Sequence, residues 1–421
     1  MSISFIEELR WRKMLHDITP GVEEFLASDS RKGYIGFDPT ADSLGVGNLV
    51  QVMMLIHFQR AGHEPVALLG GATGMIGDPS FKAEERKLLS KERLKANLVS
   101  QRLQIEKLLN NSAIILDNNE WFQNFNFLDF IRDVGKHITV NYMLAKDSVK
   151  SRQDSGISFT EFSYQLIQAF DFHFLSKNKE IRLQMGGSDQ WGNITTGIEL
   201  NRRMGGENSF AITTPLIKKA DGTKFGKTEG GNIWLDPKRT SPYNFYQFWL
   251  NSSDEDSSDY IRIFTTKSKT EIEKIEEKHI ENPHLRVLQK ELALDVTERV
   301  HSAEAANNAI KTSEILFGKG TTEMLKELSE KDLLDVFSGV PILNVSSKLL
   351  DPGISVMNLV TANSGLFKSR GEAKKLIQAG AVSINKSKIS LDDQLTLTDF
   401  LKEKYLVVQK GKKNYALVVL Q

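Results

Sequence analysis

The stretch Gly36-Phe37-Asp38-Pro39-Thr40-Ala41-Asp42-Ser43-Leu44-Gly45-Val46-Gly47-Asn48 decides how this chain folds. It continues the apolar run Tyr34 to Phe37, turns at an Asp-Pro pair, and leads through two glycines into an apolar stretch from Leu49 that includes Gln51 to Gln59. A strand end, a glycine-bearing turn and a helix start let backbone N–H groups approach a phosphate, and the helix dipole favours its charge. The same residues also suit an Asx-Pro turn that merely caps a core helix. Working outward, Val66 to Leu69 reads as a second strand and Lys91 to Leu109 as a second helix. This βαβ rhythm over residues 31–235 predicts an α/β fold with a parallel sheet covered by helices. Three strand-like runs end in glycine or aspartate clusters: Gly36 to Pro39, Gly70-Gly71-Ala72-Thr73-Gly74, and Gly186-Gly187-Ser188-Asp189. Ligands of open α/β sheets gather at such carboxyl ends.

The chain has 421 residues, enough for about two to four domains. Hydrophobic residues at 40% and charged residues at 26% are globular values, and no run approaches the roughly 18 to 20 apolar residues of a membrane span, so no membrane partner is expected. The 54 Lys plus Arg balance 54 Asp plus Glu, which argues against coating nucleic acid by bulk charge and leaves room for a local basic patch. Cysteine is absent, which removes disulfides, thiol nucleophiles and Cys-ligated zinc, and the eight histidines form no HExxH cluster. No protein-bound metal is expected; a metal would come with a substrate. The start, MSISFIEELRWRKML, lacks the apolar core of a signal peptide and reads as mature helix, so the expected location is cytoplasmic.

Domain boundaries follow from pattern changes. Residues 1–235 carry the α/β rhythm, and 236–335 read as a helical domain, Glu271 to His279 and Glu291 to Ala306 showing no strand alternation. Residues 336–353, with Pro341 and Asp351-Pro352-Gly353, read as a linker, and 354–421 as a small module. Ser252 to Asp259 reads as an acidic, serine-rich loop.

Two further segments carry chemistry. Gly222-Thr223-Lys224-Phe225-Gly226-Lys227-Thr228 sets two lysines three apart around a glycine, suited to a polyphosphate or equally to a solvated basic loop. It does not fit GxxxxGK[ST], and neither does Gly70 to Gly77, so an ordinary P-loop ATPase is excluded. In Glu161 to Phe172, the polar Tyr164, Gln168 and Asp171 stand at i, i+4 and i+7 and share one helix face, while Phe162, Leu166, Ile167, Phe170 and Phe172 cover the rest. A helix this apolar is buried, so its polar stripe must find partners, either other side chains or a small polar ligand. A buried Asp needs a compensating donor, which favours the ligand.

With these residues in place, the chain resembles the bacterial tyrosyl-tRNA synthetases, class I aminoacyl-tRNA synthetases, over nearly its whole length. GFDPTADSL, GGATGMIGDPS, VGKH with VNYMLAK, GISFTEFSYQLIQAFDF, GGSDQWGNI and ADGTKFGKTE occur in the family's order. The resemblance implies a Rossmann-like parallel-sheet catalytic domain, then an α-helical anticodon-side domain and a small C-terminal S4-like α+β domain. It implies condensation of L-tyrosine with ATP and transfer of the tyrosyl group to tRNA(Tyr), with Mg2+ accompanying ATP. Pro39 to Asn48 corresponds to the HIGH signature and Lys224 to Thr228 to KMSKS. By resemblance, Tyr34 and Asp171 hydrogen-bond the phenol, Tyr164, Asp78 and Gln168 hold the ammonium group, and Gln190 meets the carboxylate. Gly36, Asp38, Gly47, Gly187, Asp189, Lys227 and Thr228 are assigned to ATP, Asp189 to the adenylate ribose. Thr40, Asn48, Lys82, Arg86, Lys224 and Lys227 are assigned to the phosphates, where positioning and charge stabilisation do the catalysis. A site that buries partners for a hydroxyl rejects the analogue lacking it by about 10⁴ to 10⁵, tyrosyl-tRNA synthetases against phenylalanine being the standing example of that magnitude rather than a value obtained from this sequence.

Two departures stand out. Gly45 replaces the first signature histidine and has no side chain to donate to a phosphate, while Asn48 replaces the second with an amide N–H of similar reach. Ile35 stands beside the presumed ribose where a small polar residue is expected, which would loosen ATP binding. Lys368 to Lys386, a basic helix, a glycine turn and a strand, resembles the S4 RNA-binding fold, and from Lys368 onward eleven Lys or Arg face five Asp or Glu. Lys368, Arg370, Lys374, Lys375, Lys410, Lys412 and Lys413, with Lys386 and Lys388, are the candidate RNA contacts. Arg202 and Arg203 are weaker candidates for guiding the acceptor end. The resemblance also implies a homodimer, with Phe125 to Met143 as the expected interface. Two rivals remain at this stage: a tryptophan-activating relative, against which Tyr34 with Asp171 argues, and a catalytically weak paralogue acting as an RNA-binding protein, which rests on Gly45 alone.

Overall fold

The structure is a computed structural model and describes residues 4–80, 88–150, 156–228, 231–317, 321–337, 341–350, 353–361, 367, 369–411 and 414–421. The chain divides into two compact units, Met1–Thr240 with Trp249–Val300, and Ser241–Phe248 with His301–Gln421.

The first unit is an α/β body. Its strands β1 (Lys32–Phe37), β2 (Glu64–Leu69), β3 (Ile114–Asp117), β4 (Leu183–Gly187) and β5 (Phe210–Thr214) form one sheet in the order β3-β2-β1-β4-β5, every pair parallel. β1 pairs with β2 in register Lys32↔Glu64 and with β4 through Tyr34↔Gln184, so chain order reverses at β1. That reversal opens a crevice at the carboxyl ends of β1 and β4, where the Gly36–Asp38 and Gly186–Asp189 clusters lie. The helix Val46–Arg60 crosses from β1 to β2. It approaches β1 closely because Gly33 has no side chain: a Cβ there would lie 2.9 Å from the Phe58 ring.

The polar-striped segment is the helix Phe159–Lys179. Ser158 starts it by accepting the N–H of Glu161 at 3.2 Å, and Glu180, in the left-handed region at φ 59°, ends it. Its Ala169, Phe170, Phe172 and Leu175 are buried with Tyr34, Leu68 and Trp121 in one apolar cluster, so the stripe passes through the core. The acidic stretch Ser252–Asp259, expected as a loop, instead opens the helix Asp254–Phe264. Ser253 caps it by accepting the N–H of Asp256 at 3.0 Å, and acidic residues fill the first turn, where the helix dipole favours them.

The second unit holds a five-stranded sheet, in the order Ser387–Lys388, Val382–Ile384, Tyr405–Lys410, Asn414–Leu420, Ile342–Val345, antiparallel except for the last pair. The helix Arg370–Gln378, the turn at Gly380 (φ 63°) and the strand Val382–Ile384 follow one another as the basic segment predicts. The strand Ile342–Val345 falls within the stretch read as a linker, and the helices of 236–335 are divided between the two units, Val287–Val300 in the first and Ala303–Phe317 in the second. Among the described residues no helix is long and apolar enough to cross a membrane.

Candidate active site

A cavity of about 290 Å³ occupies the β1–β4 crevice. β1 contributes Tyr34, Ile35 and Gly36, and the turn after it Asp38 and Thr40. The helix start contributes Gly47 and Asn48, the striped helix Tyr164, Gln168 and Asp171, and the residues around the end of β4 Gly187, Asp189 and Gln190. Asp78 completes the set, so these residues, expected from widely separated motifs, meet around one space.

One end is buried and polar. Asp171 is buried, accepting from Trp121 Nε1 at 2.9 Å on one oxygen and from Asn118 Nδ2 at 3.0 Å on the other. Burial pushes its pKa up to about 8, against the pull of those two donors. The Tyr34 hydroxyl is buried and has no hydrogen-bond partner among the described residues, and burial followed by the nearby Asp171 raises its pKa well above the ordinary phenol value. A buried hydroxyl and a buried carboxyl side by side provide a donor and an acceptor for a third hydroxyl.

The middle is held by Asp38 and Asp78. The Tyr164 hydroxyl donates to Asp38 Oδ2 at 2.8 Å and Thr73 Oγ1 to Asp38 Oδ1 at 2.8 Å; Asn118 Nδ2 reaches Thr73 Oγ1 at 3.0 Å, linking this group to Asp171. Burial, then Asp38, raises the Tyr164 pKa. Asp38 fits because Gly70 lacks a side chain, a Cβ there falling 2.1 Å from Asp38 Oδ1. Asp78 accepts from Gln190 Nε2 at 2.8 Å and from the Ser80 N–H at 3.0 Å. The Oε1 atoms of Gln168, Gln184 and Gln51 are buried and have no hydrogen-bond partners among the described residues.

The other end is backbone. At Gly36 and Gly47 a Cβ would meet nothing within 4 Å among the described residues, and both line the cavity, so an occupant can lie against the main chain there. Lys224 and Lys227 are exposed and do not line the cavity; their loop reaches its rim through Gly226, where a Cβ would fall 2.8 Å from Val46 Cγ2. Thr228 pairs its backbone with Gly231. Lys82 and Arg86 lie outside the described residues.

Sequence reasoning missed Asn118, Trp121, Thr73, Gln184 and Gln51. Thr73 stands in the Gly70 to Gly74 cluster, and Asp117-Asn118-Asn119 is a further polar cluster at a strand end. In the second unit Lys374 and Lys375 are exposed, Arg370 Nη2 donates to Asn358 Oδ1 at 3.2 Å, and Lys410 pairs with Glu372 at 2.8 Å. Lys386 Nζ lies 3.4 Å from the Tyr415 hydroxyl; Lys368, Lys412 and Lys413 lie outside the described residues. Arg202 and Arg203 both bond Glu199, at 2.9 and 2.5 Å, and their hydrogen bonds, Arg202 first, hold its pKa down at about 2. Among the described residues no three His, Asp or Glu side chains gather into a metal site.

Comparison with known proteins gives the family. The family described as tRNA synthetases class I (W and Y) matches residues 28–318, and the tyrosine--tRNA ligase SYY-like C-terminal domain matches 332–418. A C-terminally truncated mitochondrial tyrosyl-tRNA synthetase of Aspergillus nidulans superposes with a TM-score of 0.68 at 31% identity, over 75% of this chain and 95% of that one. The tyrosine--tRNA ligase of Cytophaga hutchinsonii is 58% identical over 99% of both chains, and that of Porphyromonas gingivalis 55% over the whole of both. The chain belongs to the tyrosine--tRNA ligase family of class I aminoacyl-tRNA synthetases.

Proposed function

We propose that the cavity joins L-tyrosine to ATP, giving tyrosyl-adenylate and pyrophosphate, and that the tyrosyl group then passes to the 3′ end of tRNA(Tyr). The observation that carries this reading is the pair at the buried end, a Tyr34 hydroxyl with no hydrogen-bond partner among the described residues beside the buried Asp171 carboxyl. The tyrosine phenol donates to Asp171 and accepts from Tyr34. Its ammonium group meets Asp78, Gln168 and the lone pairs of the Tyr164 oxygen, and its carboxylate lies toward Gln190. ATP follows the bare backbone at Gly36, Gly47 and Gly187, with its ribose at Asp189. The tyrosine carboxylate attacks the α-phosphate and pyrophosphate leaves, no covalent enzyme intermediate being needed. Lys82, Arg86, Lys224 and Lys227 neutralise charge growing on the departing pyrophosphate, and Thr40 and Asn48 donate hydrogen bonds to it. Magnesium belongs to ATP in this reading and adds charge neutralisation at the phosphates.

The same reading makes the chain a cytoplasmic homodimer whose C-terminal unit binds tRNA. Exposed Phe127, Leu128 and Val140 within Phe125–Met143 support the interface, and exposed Lys374 and Lys375 the RNA contact. The RNA-binding paralogue finds no support in relatives 55–58% identical over full length that are named ligases. Tyrosine-dependent exchange of pyrophosphate into ATP tests the reading. Exchange at an ordinary synthetase rate, about 1 to 10³ s⁻¹, is expected; its absence, with tRNA binding retained, would return the paralogue.

A further inference from the structure

The loop carrying Lys224 and Lys227 is fastened by a residue to which the reaction gives no part. The Phe225 ring, between the lysines in sequence, stacks on Phe264 with centroids 5.3 Å apart and planes 19° apart. It meets Tyr260 edge-on at 5.0 Å and lies tilted against Trp249 at 5.9 Å. All three partners are buried, so the seat is part of the core of the first unit rather than a surface patch. One turn before Tyr260 on the same helix, Asp256 Oδ1 accepts the N–H of Ala220 at 2.8 Å, a second hold on the loop.

The next residue faces the opposite way. Gly226 is in the left-handed region at φ 78°, its carbonyl accepts the N–H of Ile233 at 3.0 Å, and a Cβ on it would strike Val46 Cγ2. Val46 opens the helix whose Gly47 and Asn48 line the cavity. Adjacent residues thus bind the loop to an aromatic seat on one side and to the cavity's glycine turn on the other. An exposed lysine is a point charge on a flexible four-carbon stem, so where its charge arrives is set by where its backbone is held. A phenylalanine between two exposed lysines has no solvation role; aromatic rings contribute through area and ring geometry when seated against others.

We propose that Phe225 is a positioning residue: seated on Phe264, Tyr260 and Trp249, it holds the backbone from which Lys224 and Lys227 reach the ATP phosphates. This rests on the reading above that those lysines serve the departing pyrophosphate.

The test uses the full chain with Phe225→Ala, Phe225→Leu, Lys227→Ala and the double variant Phe225→Ala/Lys227→Ala. Exchange kcat, KM for ATP, tyrosine affinity measured without ATP, and thermal midpoint are read for each. Phe225→Ala is expected to lower kcat by about 10²-fold, the loss that a misplacement of about 1 Å produces, with tyrosine affinity unchanged and the thermal midpoint lowered by the lost ring contacts. Phe225→Leu, which keeps apolar volume in the seat, recovers most of that loss. The double variant is slower than Lys227→Ala by less than Phe225→Ala slows the unmodified chain, because the share of the loss carried by Lys227 is already gone and only that of Lys224 remains. An unmodified rate in Phe225→Ala, additive losses, leucine no better than alanine, or tyrosine affinity falling in parallel would each overturn the proposal. Lys227→Ala at the unmodified rate would remove the reading of the lysine and this proposal with it. A slow Lys227→Ala beside a normal Phe225→Ala would remove the positioning role alone.

Discussion

The Asn48 side-chain oxygen accepts the backbone N–H of Gly45 at 3.1 Å, three residues back across the start of the helix Val46–Arg60. Gly45 offers no side chain to a phosphate, but the bond orients Asn48, and its Nδ2 makes no hydrogen bond among the described residues. Asn48→Ala is therefore expected to cost about 10²-fold in exchange rate, as loss of one transition-state donor does, and about 1 kcal/mol of stability for the lost terminal bond. Gly45→His is expected to leave the rate within a few-fold, since a Cβ there would lie 3.3 Å from the Ile233 carbonyl oxygen and crowd the new side chain. A hundredfold gain in that variant would show that the chain lacks a donor there.

Asp171 makes stability depend on pH. Its folded-state pKa of about 8 lies above the ordinary carboxyl value of 3.8, burial being the first cause, with Asp38 and Asp117 adding to it and Asn118 and Trp121 opposing. Between about pH 4 and pH 8 the folded chain keeps a proton that the unfolded chain has released, so stability falls as pH rises through that window and levels above it. This group contributes at most about 1.4 kcal/mol per pH unit. Denaturant unfolding of Asp171→Asn should show that slope flattened; parallel profiles for the variant and the unmodified chain would place the proton elsewhere.

The same pair should set selectivity. Tyr34→Phe removes the donor and Asp171→Ala the acceptor, so each should erode discrimination against phenylalanine in exchange assays, Asp171→Ala by the larger factor. Polar groups left unpaired by the wrong substrate are the source of the discrimination. Unchanged discrimination in Asp171→Ala would put the phenol at the other end of the cavity.

What the sequence disclosed, it disclosed through period and punctuation. Tyr34–Phe37 and Val66–Leu69 are short apolar runs with glycine clusters at their ends, and the Tyr164–Gln168–Asp171 stripe is a helical period, so sheet, crevice and one cavity wall were legible. Asn118 and Trp121 were not, because each meets Asp171 across about fifty residues of chain and neither lies on a periodic face pointing there. Lys410 looked like an open cation, and its partner Glu372 became visible only when the strand Tyr405–Lys410 and the helix Arg370–Gln378 were placed together. The acidic run Ser252–Asp259 was misread because low hydrophobicity suggests a loop, whereas a serine cap before acidic residues starts a helix.

Binding of tRNA(Tyr) should be steeply salt-dependent. Lys374→Ala and Lys375→Ala are each expected to lower the slope of log K against log salt by about one, the signature of a lost phosphate contact. Lys410→Ala should change it less, its ammonium group already sharing Glu372 at 2.8 Å. Equal slopes for all three variants and the unmodified chain would move the RNA surface off this helix.

The apolar face on Phe125–Met143 predicts the assembly. Phe127 is 64% and Leu128 74% exposed on the helix Phe127–Asp133, and Val140 is 58% exposed at the start of the next. Phe159, at the start of the striped helix, is 67% exposed. Apolar side chains this open contribute nothing to the fold of one chain, and a contiguous face of them marks a contact between proteins. A closed two-fold pair would bury the same face on both copies. Leu128→Asp should therefore leave the thermal midpoint of a single chain nearly unchanged while halving the mass measured by light scattering at micromolar concentration. A variant that keeps the mass of a pair would move the interface off this face, and an unmodified chain already at the mass of one copy would remove the homodimer from the reading.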